Sequence, residues 1–163
     1  MKPKDPRATS GLPSILNSGS EHQTYEQGRD AESKFLILVA DDSADSVAMI
    51  SLYLQTEGYR VVTAANGEDA IRVATQTAPN LILMDISMPT LDGLGATRRI
   101  REDPALRDIP IIAVTAHGTE GFQRAAYDVG VSGYLTKPIE MDRMCNLIGH
   151  LLSPLASGEL RTQ

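Results

Sequence analysis

The sequence predicts an α/β fold, a parallel sheet covered by helices on both faces, and three observations carry that expectation. Short apolar runs alternate with segments of helical periodicity throughout residues 34–152. Runs such as Phe35–Ala40 and Leu81–Met84 are apolar without interruption, as strands buried on both faces are. Glycine and proline fall between the segments: Gly58, Pro79 and Gly130 each follow a helical stretch. Alternating β and α segments of this length join through crossover connections into one parallel sheet.

Taken in order, Phe35–Ala40 is the first strand. Val47, Ile50 and Leu54 follow at helical spacing, and Gly58 closes that helix. Arg60–Ala64 reads as a short strand, Gly67–Thr77 as a helix ended by Pro79, and Leu81–Met84 as the next buried strand. Pro89 and Gly93 punctuate the loop before a helix over 92–102. Ile109–Val114 is the fourth strand, with Pro110 restricting pairing near its start. A helix over 119–129 ends at Gly130, and Ser132–Thr136 is the fifth strand. Met144, Leu147, Ile148 and Leu151 mark the inward stripe of a last helix, which Pro154 is expected to stop.

The flanks read differently. Residues 1–33 mix Pro3, Pro6, Pro13, Gly11, Gly19 and Gly28 with many polar residues, and only Leu12, Ile15, Leu16 and Tyr25 offer apolar area. That is too little to offset chain entropy, so this stretch is expected to be a disordered tail. A short partner-binding segment at Leu12–Leu16 is the alternative. Residues 153–163 read as a second disordered tail, leaving 34–152 as the folded domain.

Bulk composition excludes several function classes. A hydrophobic content of 42% suits a packed core, and no apolar run approaches the length of a membrane span. The first residues carry charge with no apolar stretch behind them, unlike a secretory signal. The single cysteine, Cys145, rules out an internal disulfide framework and fits a reducing cytoplasm. A net charge of −6 argues against a basic nucleic-acid-binding surface. Residues 34–152 hold 10 Lys or Arg against 15 Asp or Glu, so the acidity belongs mainly to the folded part.

Polar residues sit where four of the apolar strands end: Asp41 and Asp42 after the first, Asp85 after the third, Thr115 after the fourth and Lys137 after the fifth. In an open parallel sheet the carboxyl ends of the strands form the ligand crevice. Magnesium prefers octahedral oxygen coordination with one or two protein carboxylates. Asp42 and Asp85 suit direct ligation of Mg2+, Asp41 can hold a water ligand, and the Ser87 backbone carbonyl can supply a further oxygen. A free oxygen of the Asp85 carboxylate can attack phosphorus. Thr115 and Lys137 are placed to contact the remaining phosphoryl oxygens, since phosphoryl transfer needs positioning and charge neutralisation above all.

The stretches LILVADD, LILMDISMPTLDG, IIAVTAH and GYLTKP make residues 34–152 resemble a response-regulator receiver domain, the phosphoaccepting half of two-component signalling. Thirty positions separate Asp85 from Thr115 and 22 separate Thr115 from Lys137, in keeping with that family. The resemblance implies a flavodoxin-like five-stranded fold with strand order 2-1-3-4-5. It makes Asp85 the phosphoacceptor, Asp41 and Asp42 the acid pair, Thr115 the switch hydroxyl, Lys137 the phosphate-contacting lysine and Tyr134 the switch aromatic.

Each residue also has a plainer role available. An acid pair after a strand is often a helix N-cap, and Ser43 can serve there too. Thr115 can be a buried strand threonine, and Tyr134 ordinary core packing. These readings require several coincidences of type, order and spacing. His117, two residues past Thr115, is either a plain loop residue or one that affects water access to the phosphoryl group. Arg98, Arg99 and Arg101 read as a solvated helix face.

The expected function is a phosphorylation-controlled binding module with no attached output domain, since residues 153–163 are too few for one. It is not expected to be an enzyme beyond magnesium-dependent self-phosphorylation and autodephosphorylation. The partners implied are a histidine kinase or histidine phosphotransfer protein, and a downstream protein or second copy meeting the fourth helix, fifth strand and fifth helix, with no nucleic acid and no membrane. The competing readings are a degenerate receiver used as a scaffold, which would ordinarily lack one of the five pocket residues, and an aspartyl-phosphate phosphatase. The latter favours Asp-x-Asp after its first strand, whereas Asp85 follows the third and Ser87 stands two places on.

Overall fold

Five strands and five helices alternate along residues 35–156, the part of the chain that the computed structural model describes. They are β1 (Leu36–Ala40), α1 (Ala44–Thr56), β2 (Arg60–Ala64), α2 (Gly67–Thr77), β3 (Leu81–Asp85), α3 (Gly93–Glu102), β4 (Ile111–Thr115), α4 (Glu120–Asp128), β5 (Gly133–Thr136) and α5 (Met141–Ala156). The strands form one parallel sheet in the order β2-β1-β3-β4-β5. The expected α/β class and strand order are both observed.

Side chains along each strand point alternately to two cores. Leu38, Ala40, Ile82, Met84, Ile111, Ala113 and Tyr134 pack with Ala70, Val73, Ala96, Ile100 and Ala126 of α2, α3 and α4. Ile37, Val39, Leu81, Leu83, Ile112, Val114 and Leu135 pack on the other face against Ile50 and Leu54 of α1 and Met144, Ile148 and Leu152 of α5. Because both faces are covered, the central strands are apolar throughout, and the sequence shows no two-residue alternation there.

The helix ends follow local chemistry. Ser43, Asn66 and Asp92 cap α1, α2 and α3, each side-chain oxygen accepting a backbone N–H three residues on. Gly58 and Gly130 sit at φ +87° and +99°, where a side chain would be strained. After α1, the Gly58 N–H donates to Gln55 and the Tyr59 N–H to Leu54, the paired bonds of a Schellman ending.

Several boundaries shift by a residue or two from expectation, with β1 starting at Leu36, β4 ending at Thr115 and β5 starting at Gly133, and three further differences matter more. β3 runs on to include Asp85, and β4 begins at Ile111, with Pro110 outside it but its carbonyl still accepting the Ile82 N–H. α5 continues through Pro154 to Ala156, so the stop expected at Pro154 and the domain edge at 152 are corrected. A proline harms a helix chiefly through the turn before it. Here the buried stripe Met144, Ile148 and Leu152 has already fixed that turn against the sheet. The expectations for residues 1–33 and 157–163 lie outside the described residues.

Candidate functional site

The strand order reverses between β1 and β3, and the crevice at such a point opens at the carboxyl ends of the strands. Asp85 ends β3 and Thr115 ends β4, while Asp41 directly follows β1 and Lys137 follows β5. All four therefore converge on one edge of the sheet, with Asp42 beside them.

Asp41 and Asp85 are each only 3% exposed, and a buried carboxylate must be hydrogen-bonded or paired. Both are paired in the same way. Asp41 Oδ1 accepts the Ser43 N–H at 2.8 Å, and Asp85 Oδ1 accepts the Ser87 N–H at 3.0 Å. The Lys137 ammonium donates to Asp41 Oδ2 and Asp85 Oδ2, at 2.9 Å each. Burial pulls the Lys137 pKa down, but its bonds to Asp85 and Asp41 outweigh that and hold it above the ordinary lysine value. Lys137 is thus a fixed cation between two acids.

Asp42 is exposed, and the acid pair does not cap α1, because Ser43 does. Asp41, Asp42 and Asp85 each offer an oxygen within 4.8 Å of the others. Three hard oxygen donors at this spacing suit a divalent cation such as Mg2+. A cavity of about 350 Å³ opens beside Asp41 and Asp42, lined also by Val47, Thr63 and Asp69.

Thr115 is fully buried, and its Oγ1 accepts the His117 N–H at 3.0 Å. Tyr134 is buried as well, and its hydroxyl donates to the His117 carbonyl. Burial raises the Tyr134 pKa, opposed by a hydrogen bond with Thr115. Both the hydroxyl and the aromatic expected to act as a switch are therefore coupled through one loop residue. The His117 ring itself is exposed and lies 5.5 Å from the Phe122 ring, centroid to centroid.

The sequence profile of the response regulator receiver domain matches residues 37–149. The chain belongs to that family. It is 35% identical over 117 residues to protein PilH of Pseudomonas aeruginosa, covering 72% of this chain and 97% of that protein. It is 38% identical over 104 residues to the response regulator PleD of Caulobacter vibrioides, which spans 64% of this chain but only 23% of PleD. Among solved structures, the receiver domain of the sensor histidine kinase PA1611 from P. aeruginosa, with a magnesium ion in its active-site cleft, superposes with a TM-score of 0.68. The two are 34% identical, over 73% of this chain and 98% of that one. The receiver domain is a signalling module of two-component systems, homologous to response regulators. Among the described residues, no helix is long and apolar enough to cross a membrane.

Two features of the receiver were not anticipated. Arg101 is not part of a solvated face: it is half-buried, and its guanidinium donates to the Gly130 and Ile109 carbonyls, both at 2.9 Å. Burial lowers its pKa below the ordinary arginine value. Arg98 is exposed as expected, and Arg99 pairs with Glu68 at 2.7 Å between exposed side chains. A signal for Arg101 existed, because it lies four residues after Thr97, which is fully buried on the inward face of α3. The second feature is the bracing of the loop after Asp85, where the Ile86 carbonyl accepts the Gly93 N–H and the Leu91 carbonyl accepts the Gly67 N–H.

Proposed function

We propose that Asp85 is the phosphoacceptor of this receiver domain and that Asp41, Asp42, Asp85 and the Ser87 carbonyl hold Mg2+. The observation that carries this is the pose of the Asp85 carboxylate: nearly buried, fixed at one oxygen by the Ser87 amide and at the other by Lys137, inside a three-carboxylate cluster. The magnesium-containing cleft of the PA1611 receiver supports the choice of cation.

In the proposed step an Asp85 oxygen attacks the phosphorus of a phosphohistidine on a histidine kinase or phosphotransfer protein. The phosphorus–nitrogen bond breaks, its electron pair stays on the imidazole nitrogen, and an acyl phosphate forms on Asp85. Bound magnesium supplies neutralisation of the charge on the transferring group. Lys137 leaves its contact with Asp85 Oδ2 to pair with a phosphoryl oxygen, and the Thr115 hydroxyl bonds to another. The protein turns over no outside substrate, and its own phosphorylation and dephosphorylation are the whole chemistry. It acts in the cytoplasm, and its signalling unit is residues 34–152 together with the end of α5. The readout is a changed face of α4, β5 and α5, where Tyr127 is half exposed, presented to a downstream protein or a second copy.

Intact-mass measurement with acetyl phosphate and magnesium tests this. One added phosphoryl group is expected on the wild type and none on Asp85→Asn. Equal labelling of both would overturn the assignment.

A further inference from the structure

The loop from Ile86 to Asp92 carries the Ser87 carbonyl, and it is fastened at more points than a surface loop needs. At its start, the Ile86 N–H donates to Val114 and the Ile86 carbonyl accepts the Gly93 N–H. At its end, Asp92 caps α3 through a 2.6 Å bond from the Gly95 N–H. Between these, the Leu91 carbonyl accepts the Gly67 N–H at 3.0 Å, a bond that comes from a different element, the first residue of α2. The first N–H groups of a helix have no partner within it, so the end of α2 is a natural donor.

The approach is close enough to exclude any side chain at Gly67. A Cβ there would collide with the Leu91 carbonyl oxygen and lie 3.0 Å from both its carbonyl carbon and its Cγ. The obstacle is backbone, which cannot swing aside as a side chain can. The end of α2 is itself held firmly: Asn66 Oδ1 accepts the Asp69 N–H at 2.9 Å, and Asp69 Oδ2 accepts the Ala65 N–H at 3.2 Å. Within the braced stretch Thr90 sits at φ +69°, a conformation that a β-branched residue adopts only when its surroundings impose it.

We infer that Gly67 is a positioning residue for the cation site: its amide and its bare Cα set the height of Leu91 and, through residues 87–91, the direction of the Ser87 carbonyl. This rests on the proposed function, in which that carbonyl is a ligand. Gly67 touches neither the cation nor the phosphoryl group. It acts as the outer partners of metal ligands do, by fixing their orientation.

Calorimetric titration of magnesium into the full chain tests the inference, with four variants beside the wild type. Gly67→Ala should weaken binding roughly tenfold, the usual scale for loss of an outer partner. Its phosphorylation by acetyl phosphate should be slow at limiting magnesium and recover at saturation, a split that general destabilisation would not produce. Asn66→Ala frays the same helix end without adding a Cβ, and should weaken magnesium binding in the same direction. Gly149→Ala, where a Cβ meets nothing within 4 Å, should bind as wild type does. Wild-type affinity in folded Gly67→Ala overturns the inference, and if that variant does not fold, wild-type affinity in Asn66→Ala does so. Asp42→Ala separates the two levels. Retained affinity there removes the cation site itself, whereas lost affinity there with unchanged Gly67→Ala removes only the role of Gly67.

Discussion

Lys137 Nζ stands 2.9 Å from Asp85 Oδ2 and the same distance from Asp41 Oδ2, so one ammonium joins the residues that follow β1 and β5 to the end of β3. The ion pair is more than a surface contact, because both acids are 3% exposed while the lysine is 31% exposed. Two buried carboxylates side by side repel each other, and Lys137 offsets that repulsion.

Lys137→Ala should therefore destabilise the domain by about 1–2 kcal/mol, the lower part of the range for a lost charged partner because water reaches this one. Magnesium should restore much of the loss, since the acidic cluster remains and binding to the folded state alone adds stability. Melting curves with and without magnesium would show a larger cation-dependent rise in the variant than in the wild type. Phosphorylation by acetyl phosphate should fall sharply even at saturating magnesium. Normal phosphorylation would show that the Lys137 charge is not used in transfer.

Arg101→Ala should cost about 2 kcal/mol, because two charge-assisted hydrogen bonds to backbone carbonyls are lost together. Those carbonyls belong to Ile109, before β4, and Gly130, at the end of α4, so one side chain ties the two loops. Urea denaturation provides the measurement. Arg101→Lys should lie between wild type and alanine, since an ammonium cannot span both carbonyls as the planar fork does. A change within experimental error for Arg101→Ala would mean that water replaces the bonds at no cost.

Gly93→Ala should be more damaging than its conservative appearance suggests. A Cβ at Gly93 would collide with the Asp85 carbonyl oxygen and lie 2.9 Å from Ile86 Cα, so the backbone at the end of β3 would have to move. Overpacking of this kind costs about 3 kcal/mol when no side chain can yield. Chemical denaturation should report the loss. Gly121→Ala, with nothing within 4 Å of the added atom, is the comparison and should be near neutral or stabilising.

The strand ends were legible because each polar site residue interrupts an apolar run, and the parallel arrangement collects those ends on one edge. The cap of α1 was legible too, since Ser43 carries its chemistry within three residues of where it acts. What the sequence hid depends on tertiary contact. Arg101 follows the fully buried Ile100 and lies one turn after the buried Thr97, yet that spacing alone does not tell that its guanidinium folds onto the distant Gly130 and Ile109 carbonyls. Gly67 reads as the start of a helix, while its actual constraint comes from Leu91, 24 residues away. The side-chain pose of Tyr134 was equally hidden. The ring is buried and its hydroxyl donates to the His117 carbonyl, a contact that no local pattern around Tyr134 announces.

That pose sharpens the expected switch. The His117 N–H is held by Thr115 and the His117 carbonyl by Tyr134, so the Ala116–His117 loop is fastened at both sides in the unphosphorylated domain. α4 beyond it is lightly held at its leading end: Thr119 makes no side-chain cap, Phe122 is only partly buried against the core, and Ala126 is the helix's one fully buried residue. If the Thr115 hydroxyl turns to a phosphoryl oxygen on Asp85, the His117 amide loses its acceptor while Tyr134 still grips the carbonyl. The loop should then pivot about the Tyr134 bond and carry the start of α4 with it, a shift between states already in exchange. Amide exchange with and without a phosphoryl mimic should place the change at residues 115–128. In Tyr134→Phe the pivot is gone, so exchange at 116–122 should be fast in both states and the difference between them small, with phosphorylation itself unimpaired. Thr115→Ala should also still accept some phosphate, but its exchange pattern should barely respond. Full wild-type differences in both variants would show that the loop is coupled to Asp85 by another route.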